Sequence, residues 1–182
     1  CAQPGDWVLV HGGSGGVGVA AVQVARARGM RTVATAGTPE GLALLHEIGA
    51  DAAIGHADVE QALAATGGRG FDIVLEMAAH LGLSQALGLL APGGRVALIG
   101  SRGPTQVNPR DLMSREASVQ GILLFLATEE DLRRIHEEIG AGLRDGTLRP
   151  VARRIFALSL APDAHRAVLA PGALGKITLE IP

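Results

Sequence analysis

Aromatic side chains are almost missing from this chain. Trp7, Phe71, Phe125 and Phe156 make up 2% of its 182 residues. The core must therefore be built from Ala, Val, Leu and Ile, and base-stacking recognition of RNA has little to work with. Cysteine is nearly absent as well: Cys1 stands alone, which excludes an internal disulfide framework and a cysteine-rich zinc site. Neither sign of charge is in excess. Sixteen Lys+Arg against 18 Asp+Glu leave a formal charge of −2, with no basic surplus for nucleic acid or an anionic membrane. No run approaches the roughly 20 apolar residues that span a bilayer, and nothing resembles a signal peptide. These absences point to a soluble, cytoplasmic domain, with no membrane and no nucleic-acid partner expected. The length suits one domain with a full core. Cys1 falls within what reads as turn-and-strand sequence, so the chain is expected to be a piece of something longer.

What is abundant is glycine, 26 residues, set between short apolar runs. Trp7 to His11 reads as a buried strand, and Val17 to Arg28 as an Ala-rich helix stopped by Gly29. Arg31 to Ala36 reads as a strand. Thr38-Pro39 places a cap and a first-turn proline before a helix at Leu42 to Ile48. The order continues with a strand at Ala52 to Gly55, a helix at Asp58 to Thr66, a strand at Phe71 to Met77, a helix at Leu81 to Leu90 and a strand at Arg95 to Gly100. Such alternation predicts an α/β, Rossmann-type doubly wound parallel six-stranded sheet with helices on both faces. The sixth strand is expected at Ser118 to Leu126, after a polar loop with a helical turn at Arg110 to Ser114. A long amphipathic helix follows, opened by Thr128 and three acids and reaching Asp145. The remainder predicts a strand near Ile155 to Leu158, a helix near Pro162 to Leu169 and a strand at Lys176 to Ile181.

The sequence His11-Gly-Gly-Ser-Gly-Gly-Val-Gly18 lies between the first strand and the first helix. Gly13, Gly15 and Gly18 satisfy G-x-G-x-x-G, and Gly12, Gly15 and Gly18 fit a spacing of three. In this context the glycines can form a tight turn, admit a pyrophosphate and let the helix press on the sheet, while the helix N-terminus offers free amides and partial positive charge. A glycine turn without a ligand is the plainer alternative. The second strand ends Ala34-Thr-Ala-Gly-Thr38 with no carboxylate before Glu40. An acid there would bind a ribose 2′-hydroxyl and favour NAD; its absence favours NADP. His56, at the end of the third strand, could donate to a 2′-phosphate, and a solvated loop histidine fits the position equally well. Phe71-Asp-Ile-Val74 and Leu90-Ala-Pro-Gly-Gly-Arg95 are shared with S-adenosylmethionine methyltransferases. That reading lacks the acids it needs at the ends of the first two strands.

Together, VLVHGGSGGVG, ATAGTPEG, IGH, FDIVLEM, LLAPGGRVALIGSRG, NPRDLM and GILLF closely resemble the quinone oxidoreductases of the zeta-crystallin type. These are zinc-free members of the medium-chain dehydrogenase/reductase superfamily. The resemblance covers essentially the whole chain. It implies an NADP(H)-binding Rossmann domain over residues 1–150. A C-terminal tail over 151–182 would return to a GroES-like catalytic domain lying before Cys1. It also implies that Ser14, Gly15, Gly16 and Val17 hold the NADPH pyrophosphate, and that Gly37, Thr38 and His56 line the 2′-phosphate end. Ile99, Gly100, Ser101 and Arg102 would flank the ribose and nicotinamide. Phe125 would approach the nicotinamide, although a core role suits it as well. Gly41 stands where relatives carry a lysine for the 2′-phosphate, and Gly82 where a relative offers asparagine.

The implied chemistry is hydride transfer from NADPH to a small-molecule quinone or activated alkene. No general acid, nucleophile or metal ligand stands out: Ser14, Ser101 and Ser114 lack a His–Asp constellation, and there is no G-x-S-x-G elbow. Glu76 follows the fourth strand and could be solvated near the cleft, but it reads as structural. His46, His80, His136 and His165 read as surface or helix-face residues. Two alternatives stay open, an enoyl reductase module of a polyketide synthase and a non-catalytic NADPH- or RNA-binding crystallin-like protein. Ser118 to Leu126 would form an apolar sheet edge, and a homo-oligomer paired through it is expected.

Overall fold

The computed structural model describes residues 2–172 and 174–181. Its elements in chain order are β1 (Trp7–His11), α1 (Gly16–Ala27), β2 (Arg31–Ala36), α2 (Pro39–Glu47), β3 (Ala52–Gly55), α3 (Val59–Ala65), β4 (Phe71–Glu76) and α4 (Ala79–Gly88). There follow β5 (Leu90–Leu98), α5 (Pro109–Met113), β6 (Ser118–Gly121), α6 (Glu129–Asp145), β7 (Ala152–Ala157), α7 (Ala161–Leu169) and β8 (Lys176–Glu180). Six strands form one parallel sheet in the order β3-β2-β1-β4-β5-β6. The chain crosses to the opposite half of the sheet between β3 and β4, so β1 and β4 part the loops at their C-terminal ends. That is where doubly wound sheets bind ligands.

Alternation along each strand divides the core in two. Val8, Val10, Ala34 and Ala36 pack against Val22 and Ala25 of α1 and Leu45 of α2. Leu9, Val33, Val74 and Val96 pack on the other face against Ala62 of α3 and Ala79, Leu83, Ala86 and Leu87 of α4. Phe71 is fully buried at the base of that second layer. Local chemistry sets the helix ends. Thr38 accepts from Gly41 N and Pro39 opens α2, Thr128 caps α6 by accepting from Asp131 N, and Gly146 ends α6 in the left-handed conformation.

Three boundaries differ from the sequence reading. First, α4 ends at Gly88 and β5 begins at Leu90, so Pro92-Gly93-Gly94 lies inside a strand. Leu90 pairs with Phe71 and Arg95 with Ile73, which leaves the Pro-Gly-Gly segment bulged out of the ladder. Second, β6 stops at Gly121 instead of Leu126. Its partner β5 ends at Leu98, opposite Gly121, and the last bond of the ladder runs from Ile122 N to Leu98 O at 2.9 Å. Leu124–Leu126 is a short 3-10 turn. Third, β7 starts earlier than expected, at Ala152; it pairs parallel with β8 in a separate two-stranded sheet.

Candidate functional site

The glycine segment turns sharply from β1 into α1. Gly12 has φ +71°, a conformation that favours glycine, and a Cβ on Gly18 would lie 2.5 Å from the Gly13 Cα. Gly13 N donates to Thr35 O at 2.8 Å, tying the turn to β2. Gly15 is the N-cap residue, so the amides of Gly16, Val17 and Gly18 open the helix without intrahelical acceptors, and no acid stands in the first turn. Ser14, mostly buried, faces Gly41: a Cβ on Gly41 would meet Ser14 Oγ at 3.2 Å and Ala36 Cβ at 2.9 Å. A lysine stem has no room there. The four residues expected to hold a pyrophosphate are thus brought together around one helix N-terminus.

The sequence reading missed a cation at this turn. The C-terminal segment returns to it, with Gly175 N donating to Ser14 O at 2.8 Å and Gly175 bridging Gly15. Lys176, the only lysine in the chain, then lies along Gly16, where a Cβ would stand 3.1 Å from its Nζ. A cation beside the positive end of a helix is unfavourable by itself and favourable once an anion sits between them. The contact spans the whole chain, and no local pattern announces it.

At the end of β2, Gly37, Thr38 and His56 also gather. A Cβ on Gly37 would lie 3.3 Å from His56 Nε2. His56 Nδ1 lies 2.8 Å from Thr35 Oγ1, which also accepts from Gly12 N at 3.1 Å. His56 is exposed in part, yet its partial burial, with His11 nearby, pushes its pKa below the ordinary imidazole value against the pull of Glu76.

Glu76 is not solvated: it is 1% exposed, at the end of β4. Its Oε2 accepts from His11 Nδ1 at 2.5 Å, and its Oε1 from Ala78 N at 2.7 Å. Burial alone would raise this carboxyl, but the His11 hydrogen bond and charge and the Ala78 amide outweigh it and hold it below its ordinary value. Gly82 leaves the space the pair needs, since a Cβ there would stand 3.1 Å from His11 Nδ1. His11, His56, Glu76, Ala78, Leu81 and Gln85 are among the residues lining a cavity of about 250 Å³ beside the turn. Larger grooves of about 520 and 530 Å³ lie elsewhere, where α1 faces α6 and the segment after it. None of the glycine-turn residues lines those two; a third cavity of about 300 Å³ includes Gly16, Gly175 and Lys176, and the one of about 250 Å³ lies beside the polar residues of the site.

Ile99, Gly100, Ser101 and Arg102 follow β5 and close over the end of β4. Ile99 N donates to Glu76 O at 2.9 Å, Ala79 N to Gly100 O at 2.9 Å, and Arg102 N to His80 Nδ1 at 3.2 Å. His80 is therefore a fastening for this loop as well as a helix-face residue. Phe125 stands in the 3-10 turn after β6 and is 93% exposed, which overturns the core alternative.

The sheet order, the crossing between β1 and β4 and the glycine turn define a Rossmann-type nucleotide-binding domain. A family model described as zinc-binding dehydrogenase matches residues 16–139. The chain is 40% identical over 183 residues to the quinone oxidoreductase of Sus scrofa, covering 98% of this chain and 56% of that protein. Among solved structures, the quinone oxidoreductase from Thermus thermophilus, also determined in complex with NADPH, is 40% identical with TM-score 0.86 over 99% of this chain and 59% of its own. The CurK enoyl reductase is 28% identical with TM-score 0.86, over 100% of this chain and 56% of its own. The chain belongs to the zinc-binding dehydrogenase family of the medium-chain dehydrogenase/reductase superfamily, as its motifs led one to expect. It spans just over half the length of the curated relatives it matches. The family's description names zinc; among the described residues no three His, Cys, Asp or Glu side chains gather to hold a metal ion, so the residues present do not fit one.

Proposed function

We propose that this chain is the NADPH-binding domain of an oxidoreductase that reduces a quinone or an activated alkene. The observation that carries this reading is a pair of anion sites on one edge of the sheet. One is the α1 N-terminus with Lys176 beside it, and the other is His56 over Gly37 at a strand end that lacks a carboxylate. The first suits a pyrophosphate and the second a 2′-phosphate. The relative from Thermus thermophilus, solved with NADPH, supports the same assignment.

When bound, the nicotinamide supplies a hydride to the acceptor. This chain's own residues bind and orient. Ser14, Gly15, Gly16 and Val17 with Lys176 hold the pyrophosphate, while Gly37, Thr38 and His56 receive the 2′-phosphate. Ile99, Gly100, Ser101 and Arg102 wall the ribose and nicotinamide end, and Phe125 shields it from water. Residues 1–150 form the nucleotide-binding domain, and 151–182 carry the chain back towards the catalytic domain of a longer protein. Ile122 to Phe125 leave 48–93% of each side chain exposed beside the β6 edge, which supports pairing of two copies through that edge. Among the described residues no helix is long and apolar enough to cross a membrane, and a cytoplasmic enzyme fits that.

Calorimetric titration with NADPH and NADH tests the reading. NADPH is expected to bind about tenfold or more tightly, as one charge-assisted hydrogen bond to the 2′-phosphate provides. Equal affinities would overturn the 2′-phosphate assignment.

A further inference from the structure

Thr35 lies within the ATAGTPEG segment without a role assigned to it above, and it is buried near the C-terminal end of β2, 2% exposed. Its hydroxyl oxygen receives the Gly12 amide at 3.1 Å and lies 2.8 Å from His56 Nδ1. A hydroxyl has one proton to give and two lone pairs to offer. If His56 carried its proton on Nδ1, two donors would point at Thr35 Oγ1, and the hydroxyl proton would be left in a buried site with no acceptor assigned to it among the described residues. The alternative satisfies every group: Gly12 N–H donates to Thr35, Thr35 O–H donates to Nδ1, and the imidazole proton sits on Nε2. That nitrogen is the one over Gly37.

We propose that Thr35 is a positioning residue that locks His56 as the Nε2–H tautomer, so that a neutral imidazole presents a fixed donor to a phosphate oxygen at Gly37. Resting on the NADPH reading above, this adds how the 2′-phosphate is recognised. The same hydroxyl takes the amide that follows His11 at the start of the glycine turn, so one atom sets both the turn and the imidazole. Burial and the neighbouring His11 favour the neutral ring that the arrangement requires, against the pull of Glu76.

The test is a long-range ¹⁵N–¹H correlation spectrum of the histidines at neutral pH, without nucleotide, for the unaltered chain, Thr35→Ser and Thr35→Val. The first two are expected to show His56 with a proton on Nε2 and none on Nδ1. The isosteric Thr35→Val, which offers Nδ1 neither donor nor acceptor, should show a mixture of the two tautomers. Titration should then find NADPH affinity lowered about tenfold in Thr35→Val, restored in Thr35→Ser, with NADH affinity little changed. An Nδ1–H imidazole in the unaltered chain, or a tautomer indifferent to Thr35→Val, would overturn the proposal. Because the unaltered chain alone reports the tautomer, a Thr35→Val that fails to fold leaves the test standing. A correct tautomer with no preference for NADPH over NADH would instead overturn the 2′-phosphate reading, and with it the recognition role.

Discussion

On the proposed reading Lys176 and His56 divide the work of anion binding, and substitution can separate them. Lys176→Gln is expected to weaken NADPH and NADH alike, each about tenfold, because both carry the pyrophosphate. His56→Ala should weaken NADPH by a similar factor and leave NADH unchanged. Calorimetry on the two variants gives four affinities, and any other pattern contradicts the assignment. The titrating groups also fix a pH dependence. His56 is held below its ordinary 6.5 in the folded chain, so the unfolded chain binds the extra proton. Its contribution to stability is complete above about 6.5 and is lost as the pH falls through the lower folded value. Glu76, held below its ordinary 4.5, contributes above that value and loses its contribution only as the pH falls further, through its folded value. Thermal unfolding should therefore be flat near pH 7–8 and decline in two stages on acidification, and His56→Ala should remove the upper stage. Little of this was legible in the sequence. His56 could be singled out because a strand end and a family motif meet there. The partners of Thr35 and Glu76 could not, because His56 and His11 lie 21 and 65 positions away and only the finished sheet brings them together.

The helices and strands were far more readable, for reasons visible in particular elements. Thr38-Pro39 and Thr128 before three acids are cap chemistry, and α1 is bounded by the turn it emerges from and by Gly29. The failures came where pairing, rather than local preference, sets an end. Ile122 to Leu126 is apolar enough for a strand, yet β6 stops when β5 does. Pro92-Gly93-Gly94 looks like a terminating turn, yet the ladder resumes beyond it and absorbs it as a bulge. Phe125 tests the element that resulted. At 93% exposure it contributes nothing to the core, so Phe125→Ser should change unfolding free energy by no more than about 0.5 kcal/mol. On the proposed pairing through the β6 edge, the same substitution should loosen self-association measured by sedimentation. Phe71→Ala, by contrast, empties a fully buried site and should cost about 3–5 kcal/mol in denaturant unfolding.

The molecule as a whole is a sheet whose strand order makes one cleft, and a tail that comes back to close its glycine turn. The alternation of elements predicted the doubly wound sheet. It said nothing of the contact between Gly175 and Ser14, 161 positions apart, which only the finished fold creates. Grooves compete for a ligand in this arrangement: two larger ones beside α1 and α6, a cavity of about 300 Å³ that runs from Ile139 and Leu143 to Gly16 and Lys176, and the glycine turn with the cavity beside His11 and His56. Backbone amide shifts in a ¹⁵N-labelled chain titrated with NADPH decide between them. The largest changes are expected at Gly16, Val17 and Gly18, with His56 and Gly37 following. Changes confined to residues such as Val24, Ile135 and Ile139, with those three amides unmoved, would contradict the account.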